Sequence, residues 1–444
     1  MWFDHFRATR EQLADQALLR HLRVAHGGTA PHQPVAGADG TVRELLMFCS
    51  NDYLGLAAHP ALADALVEGA RRWGGGSGAS PLVSGHSQAH EAVARWLAQA
   101  YAPHMPQARA LGFCTGYMAN LGVVTALGEA GVELFCDALN HASLIDGARL
   151  ARAQVTVYPH GDLAALEALL KASTAARKLI ITDGVFSMDG DLAPLPGLLA
   201  LADRFDALLL VDDAHGLGVL GQGGLGCVEH FGLSSPRLVV VGTLGKSAGL
   251  AGAFVVATDA VTHHLLQRSR NYIFSTASPP AIEHALLTAL DLMSGPEGQR
   301  RRRDLTARCE QLRAGLTELL RAAQAPKGVL YHHFPGGKTE LAVAAIDDVV
   351  ARMLRGLDTL LATTPDPIEA TRRWMAGATA RLQDSGFEAG CPLATVGLES
   401  TPDDTALREA LASAFARMRD RIARGLVEGG HPDAQAQGIA ALIV

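Results

Sequence analysis

Charge is scarce in this sequence: Asp, Glu, Lys and Arg together make up 19% of 444 residues, and aromatic residues only 5%. With 48% hydrophobic residues, the composition describes a chain able to bury a large core, which excludes disorder and collagen-like structure. Cysteine is sparse and scattered. Cys49, Cys114, Cys136, Cys227, Cys309 and Cys391 form no CxxC pair, so they read as reduced thiols in a cytoplasmic protein rather than a disulfide framework. No apolar run approaches the ~18 residues of a membrane span. The N-terminal MWFDHFRATREQLADQALLRHLR is charged throughout and lacks the apolar centre of a signal peptide. Neither sign of charge dominates. A net charge of −7, from 38 basic and 45 acidic residues, gives no general attraction to nucleic acid or an anionic membrane.

Glycine is what the chain has in excess, 47 residues, as expected where the backbone turns tightly or approaches a ligand. A length prior of one domain per ~150 residues suggests about three units. Residues 8–24 have helical spacing and residues 26–40 read as a loop rich in Gly, Pro and His. Seven short apolar runs then alternate with helical stretches: Ala110–Cys114, Val132–Cys136, Gln154–Tyr158, Leu179–Thr182, Ala207–Val211, Leu238–Gly242 and Ala253–Val256. Strands buried on both faces and separated by helices predict an α/β domain with a mostly parallel sheet. After residue 280 the strand signal ends. Two helices are expected over 281–323, and a helical chain from 326 onward, with the boundary near 310–325.

In such sheets the ligand site forms at the carboxyl ends of the strands. Three polar clusters fall there: Asp183 to Asp191, Val211 to Gly216, and Gly242 to Ser247. They bring an acid, a histidine and a lysine to one rim. A lysine in an apolar, glycine-lined turn can form a Schiff base. A carboxyl group on a neighbouring strand suits the pyridine nitrogen of pyridoxal phosphate (PLP), and a helix N-terminus beside Thr243 suits its phosphate. Lys246 alone would read as a surface lysine; the three clusters together do not. His86 and His90, four residues apart, have a metal-ligand spacing but no third ligand, and read as loop and helix-start residues.

The segments SNDYLGLAAHP (50–60), LVSGHSQAH (82–90), NHASLIDGARL (140–150), DGVFSMDGDLAPL (183–195), VDDAHGLGVLG (211–221), TLGKSAGLAGA (243–253) and FSTASPP (274–280) resemble those of the PLP-dependent α-oxoamine synthases, 8-amino-7-oxononanoate synthase in particular. The resemblance is collinear over about residues 1–310. It implies a fold-type-I PLP transferase, acting as a homodimer, that condenses L-alanine with a pimeloyl thioester and releases carbon dioxide. It further implies that Lys246 holds the cofactor, Asp212 pairs with its ring nitrogen, His215 bonds its ring oxygen, and His141 stacks on the ring with Ser187 beside it. The phosphate would bind at the Gly116–Tyr117 backbone and Thr243, with Ser275 and Thr276 supplied by the partner subunit. Asn51 would line the mouth, and Arg20 is a candidate for the acyl-chain carboxylate. Glycine with acetyl-CoA remains an alternative substrate pair.

The synthases' own small C-terminal α/β domain, with a segment like RPPTVPxGxxRLR, is not found here. Residues 315–347 instead resemble the helix-turn-helix of a TetR-type regulator, and 387–399 and 406–426 its ligand-binding helices. On this reading Thr317 caps a short helix, Val329–Phe334 forms the recognition helix, and Tyr331, His332 and Lys338 would meet phosphates. The parts are then an N-terminal helix and loop (1–45), a PLP-binding domain (46–290), a connecting helix (291–314), a helix-turn-helix-like segment (315–347) and a truncated helical regulator segment (348–444). Residues 325–444 carry 12 basic and 15 acidic residues, so no basic footprint supports DNA binding.

Overall fold

The computed structural model describes residues 1–16, 18–37, 40–322, 337–384, 393 and 405–443. After the helix Trp2–Asp15, the stretch expected as a loop forms a small antiparallel sheet of β1 (Val24–Ala25), β2 (His32–Ala36) and β3 (Val42–Leu46). Its Gly, Pro and His residues read as punctuation, but Pro34 joins the sheet through its oxygen: it cannot donate, and its carbonyl accepts from the His26 N–H at 2.8 Å.

The seven apolar runs all become strands of one sheet: β4 (Ala108–Phe113), β5 (Val132–Asp137), β6 (Gln154–Tyr158), β7 (Arg177–Asp183), β8 (Ala207–Asp212), β9 (Leu238–Thr243) and β10 (Ala253–Thr258). The order is β4-β10-β9-β8-β7-β5-β6, with β10 antiparallel to both of its neighbours and the pairs from β9 to β6 parallel. Alternate side chains enter opposite cores, as the two-residue period of a strand requires. Phe135, Ile180, Leu209, Val211 and Val240 pack with helices Gln88–Tyr101, Leu195–Arg204 and Pro280–Ser294. Leu134, Leu179, Ile181, Leu210 and Val241 pack with Gly116–Leu127 and Ala142–Leu150. Both faces of the inner strands are therefore covered, which is why those strands are mostly apolar rather than alternating.

The turn that follows β9 is held against the segment 52–57 at Gly249. That residue has φ +70°, and a Cβ there would lie 2.4 Å from the Ala57 nitrogen. Asp52 fixes the opposing segment by accepting from the Leu56 and Ala57 N–H groups at 2.8 and 3.0 Å. Gly249→Ala is therefore expected to lower stability by roughly 2–4 kcal/mol, from left-handed strain plus the clash. A thermal melt checks this, and an unchanged melting temperature would refute it.

The chain divides into two compact units, Met1–Gln311 and Leu312–Val444. In the second, helices Gly337–Thr363, Pro367–Asp384, Thr405–Glu428 and Asp433–Ile443 bury Ile346, Val350, Leu411, Ala414 and Met418 in one cluster and Leu357, Ile422, Leu426 and Ala440 in another. Thr317 does not cap a short helix; it lies inside the 27-residue helix Pro296–Ala322. The expected recognition helix, with Tyr331 and His332, falls outside the described residues, as does the side chain of Lys338. Among the described residues no helix is long and apolar enough to cross a membrane.

Candidate active site

Strands β9, β8, β7 and β5 are consecutive neighbours, so the polar residues that follow them converge on one edge. Asp183 and Asp212 end β7 and β8 at paired positions of the register. Lys246 lies in the β9–β10 turn, which is closed by hydrogen bonds from Leu244 N to Gly252 O at 2.9 Å and from Gly249 N to Lys246 O at 2.9 Å.

Lys246 Nζ lies 2.7 Å from His215 Nε2. Burial lowers the lysine's pKa, while Asp212 and Asp183 work against that. Burial, then the charge of Lys246 and the proximity of His141, pushes His215 down to about 4, so its imidazole is neutral at physiological pH. On its other side His215 Nδ1 lies 2.6 Å from the Tyr53 hydroxyl, which donates to Asn51 Oδ1 at 3.1 Å.

Asp212 is buried, and its two oxygens have separate partners. Asn120 Nδ2 donates to Oδ2 at 2.6 Å, and the Ala214 N–H donates to Oδ1 at 3.0 Å. Asn120 also donates to Ser143 Oγ at 2.8 Å, and Ser143 Oγ lies 2.7 Å from His141 Nδ1. His141 N–H donates to Asp183 Oδ2 at 2.7 Å. Burial, and then the neighbouring Asp212, pushes the Asp183 carboxyl well above the usual carboxylate range. The network thus joins Asp212, Asn120, Ser143, His141 and Asp183.

Gly116 opens the helix Gly116–Leu127, capped by Thr115 Oγ1 accepting from Met118 N–H at 3.2 Å. A Cβ at Gly116 would lie 3.6 Å from Thr243 Oγ1, so the helix start and the end of β9 meet as expected. Such a terminus offers N–H groups to an anion. The Tyr117 phenol is turned away and donates to Asp146 Oδ2. Thr276 sits beside the end of β4: Cys114 Sγ donates to its carbonyl at 3.4 Å. Ser275 and Thr276 line a cavity of about 400 Å³ with Cys114, Phe113 and Glu283; Lys246, Asp212 and His215 are not part of that lining.

Two expected residues stand apart from this network. Ser187 is exposed in the turn after β7. Arg20 is exposed in a surface hollow with Arg10, Glu11 and His21. His86 lies before the helix Gln88–Tyr101 beside Glu91, and His90 lies in its first turn, 2.8 Å from Ser87 Oγ. Tyr53, Asn120 and Ser143 were not singled out from sequence. The signal for Asn120 was there: an amide in the apolar helix GYMANLGVVTAL needs a buried partner.

His160 braces the turn that carries Ser187. Its Nδ1 is 2.9 Å from Asp137 Oδ1 and its Nε2 2.9 Å from Asp191 Oδ2, with Phe186 edge-on at 4.4 Å. The bond to Asp137 raises its pKa, burial opposes this by less, and the bond to Asp191 adds to the rise. A raised histidine stabilises fully below its unfolded value of about 6.5, and this is lost as pH rises through the folded value. Opening of residues 184–192, followed by hydrogen exchange and corrected for intrinsic rates, is expected to increase from pH 6 to pH 9. His160→Asn should abolish the dependence; a wild-type profile flat with pH would contradict the brace.

The donor set fits PLP: an amine of lowered basicity, a buried and hydrogen-bonded carboxyl group, and an uncovered helix start beside a threonine. The family "Aminotransferase class I and II" matches residues 43–355. A curated 8-amino-7-oxononanoate synthase of Cupriavidus metallidurans is 60% identical over 325 residues, covering 73% of this chain and 80% of that protein. One of Bordetella petrii is 57% identical over 314 residues, covering 71% and 78%. The chain belongs to this family of PLP-dependent synthases. It is an acyltransferase-type enzyme of fold type I, with PLP as cofactor. Serine palmitoyltransferase from S. paucimobilis, solved with a bound PLP–myriocin aldimine, superposes with a TM-score of 0.60 at 30% identity, covering 66% of this chain and 72% of that one. An 8-amino-7-oxononanoate synthase structure from Francisella tularensis gives 0.51 at 33%, covering 62% and 75%. Residues 367–444 match "Transcriptional regulator LmrA/YxaF-like, C-terminal domain", so the chain joins a synthase to a regulator-like helical segment. The aminotransferase match runs past residue 310, where the resemblance read from the motifs ends.

Proposed function

We propose that the enzyme condenses L-alanine with a pimeloyl thioester to give 8-amino-7-oxononanoate, releasing the thiol and carbon dioxide, as a step of biotin synthesis. The identity of 60% to a synthase of that name carries this reading. Lys246 would hold the cofactor covalently, with Asp212 at its ring nitrogen, His215 at its ring oxygen and His141 on its face. Gly116 and Tyr117 N–H groups and Thr243 would hold its phosphate, with Ser275 and Thr276 of a partner subunit in a homodimer. When bound, PLP supplies an electron sink for charge left on the α-carbon of an amino acid.

The chain's own groups do the rest. Lys246 Nζ takes the α-proton, and its lowered basicity keeps neutral amine accessible for that task. His215 Nε2, held 2.7 Å away, orients Nζ. Asn120 and Ala214 N–H keep Asp212 in one orientation and shield it from water. Asn51 stands at the mouth, and Arg20 is proposed for the acyl-chain carboxylate.

Steady-state assay of the full chain with L-alanine and pimeloyl thioester tests the proposal. Carbon dioxide and thiol in equal amounts are expected; turnover only with glycine and acetyl-CoA would replace it with the alternative pair. The regulator-like match supports a second reading, of 348–444 as a ligand-binding or dimerising segment. With 12 basic and 15 acidic residues over 325–444, labelled duplex DNA is expected to show no salt-dependent binding in an anisotropy titration.

A further inference from the structure

Tyr53 has no place among the roles above, yet it touches the histidine bonded to Lys246. Its hydroxyl lies 2.6 Å from His215 Nδ1 and 3.1 Å from Asn51 Oδ1, and His215 Nε2 lies 2.7 Å from Lys246 Nζ. Counting donors sets the direction of this chain. A phenol has one hydrogen to give and an amide oxygen only accepts, so the bond to Asn51 uses the Tyr53 hydrogen. The contact with His215 then needs the hydrogen on Nδ1, donated to the phenol oxygen. A neutral imidazole with its hydrogen on Nδ1 carries a lone pair on Nε2, and that lone pair faces the lysine.

We propose that Tyr53, anchored by Asn51, is a positioning residue that fixes the Nδ1–H tautomer of His215 and so keeps a hydrogen-bond acceptor on Lys246. The inference rests on the reading of Lys246 as the cofactor lysine and adds how its basicity is set. An acceptor bonds a charged ammonium more strongly than a neutral amine, so this tautomer favours the protonated lysine. Asp212 and Asp183 act in the same sense, and burial acts against them. His141 faces the same histidine. Without the phenol oxygen, His215 is free to place Nε2–H toward Nζ, which favours the neutral amine.

The test is the pH profile of Lys246 acetylation by acetic anhydride in the full-length, cofactor-free protein, read by peptide mass spectrometry. Tyr53→Phe is expected to make Lys246 about tenfold more reactive at neutral pH, as a pKa lowered by about one would. Asn51→Ala should act in the same direction by less, because the Tyr53 hydrogen can then turn to water. Asn51 is exposed, so this variant carries the test even if Tyr53→Phe fails to fold. Profiles that superimpose on wild type, or that shift the opposite way, overturn the proposal. Loss of lysine-bound cofactor absorbance in Lys246→Ala tests the cofactor reading separately, so the two failures are distinguishable.

Discussion

Replacing Lys246 by alanine is expected to lower turnover by on the order of 10⁴-fold or more, because in the proposed function one side chain both holds the cofactor and moves the α-proton. The protein should still fold. Lys246 lies in a turn beyond the end of β9, and the two cores that flank the sheet draw on the apolar residues of β5 to β10 and their covering helices. Mixed with PLP, the variant should lack the absorbance of lysine-bound cofactor. His215 should respond as well. Its value of about 4 is lowered by burial and by the charge of Lys246, so removing that charge should move it up toward about 6.5. Spectroscopy of the cofactor and a histidine titration check both. A variant that keeps the absorbance and wild-type turnover would remove Lys246 from the mechanism.

The second large effect is expected at Asp212. Asp212→Asn keeps the size of the group and removes its capacity for negative charge, which should cost about 10²–10³-fold in kcat, comparable to removing one preorganised electrostatic partner elsewhere. Cofactor attachment through Lys246 should survive, separating this variant from the first. Its stability should respond in a definite direction. Asp183 is raised well above the usual carboxylate range by burial and then by Asp212, its register neighbour. A carboxyl group raised in the folded state is a stability cost that grows as pH climbs above its unfolded value of about 3.9. Removing the neighbouring charge should lower Asp183 and relieve part of that cost. Relative to wild type, the variant's melting temperature should therefore gain between pH 5 and pH 8. A kcat within threefold of wild type would argue against Asp212 as the ring-nitrogen partner.

The inner strands β5, β7, β8, β9 and β10 were legible because each is largely buried on both faces. The edge strands β4 and β6, though partly exposed, were legible because they still carry short apolar runs between turn signals. The sheet of β1 to β3 was not. Its residues are largely exposed or half-buried, so burial imposed no strong pattern on them, and Pro34 spoke against a strand. Lys246, Asp212, His215 and His141 could be picked out because their residue types follow strands and match the synthase motifs. Ser187 came from the same motifs, and the turn that exposes it is held by Phe186 N–H to Asp191 O at 3.0 Å and by His160.

By itself the sequence determined the α/β class, the cofactor and the candidate lysine, since all three follow from residue types, apolar runs and motifs along the chain. The tertiary structure alone decided which of those residues share hydrogen bonds. Asp183 and Asp212 couple because β7 and β8 are paired in register. Asn120 reaches Asp212 across 92 positions, and Tyr53 reaches His215 across 162. Protonation at such a site depends on burial and on charges a few ångströms away, and those distances exist only once the sheet has ordered its strands.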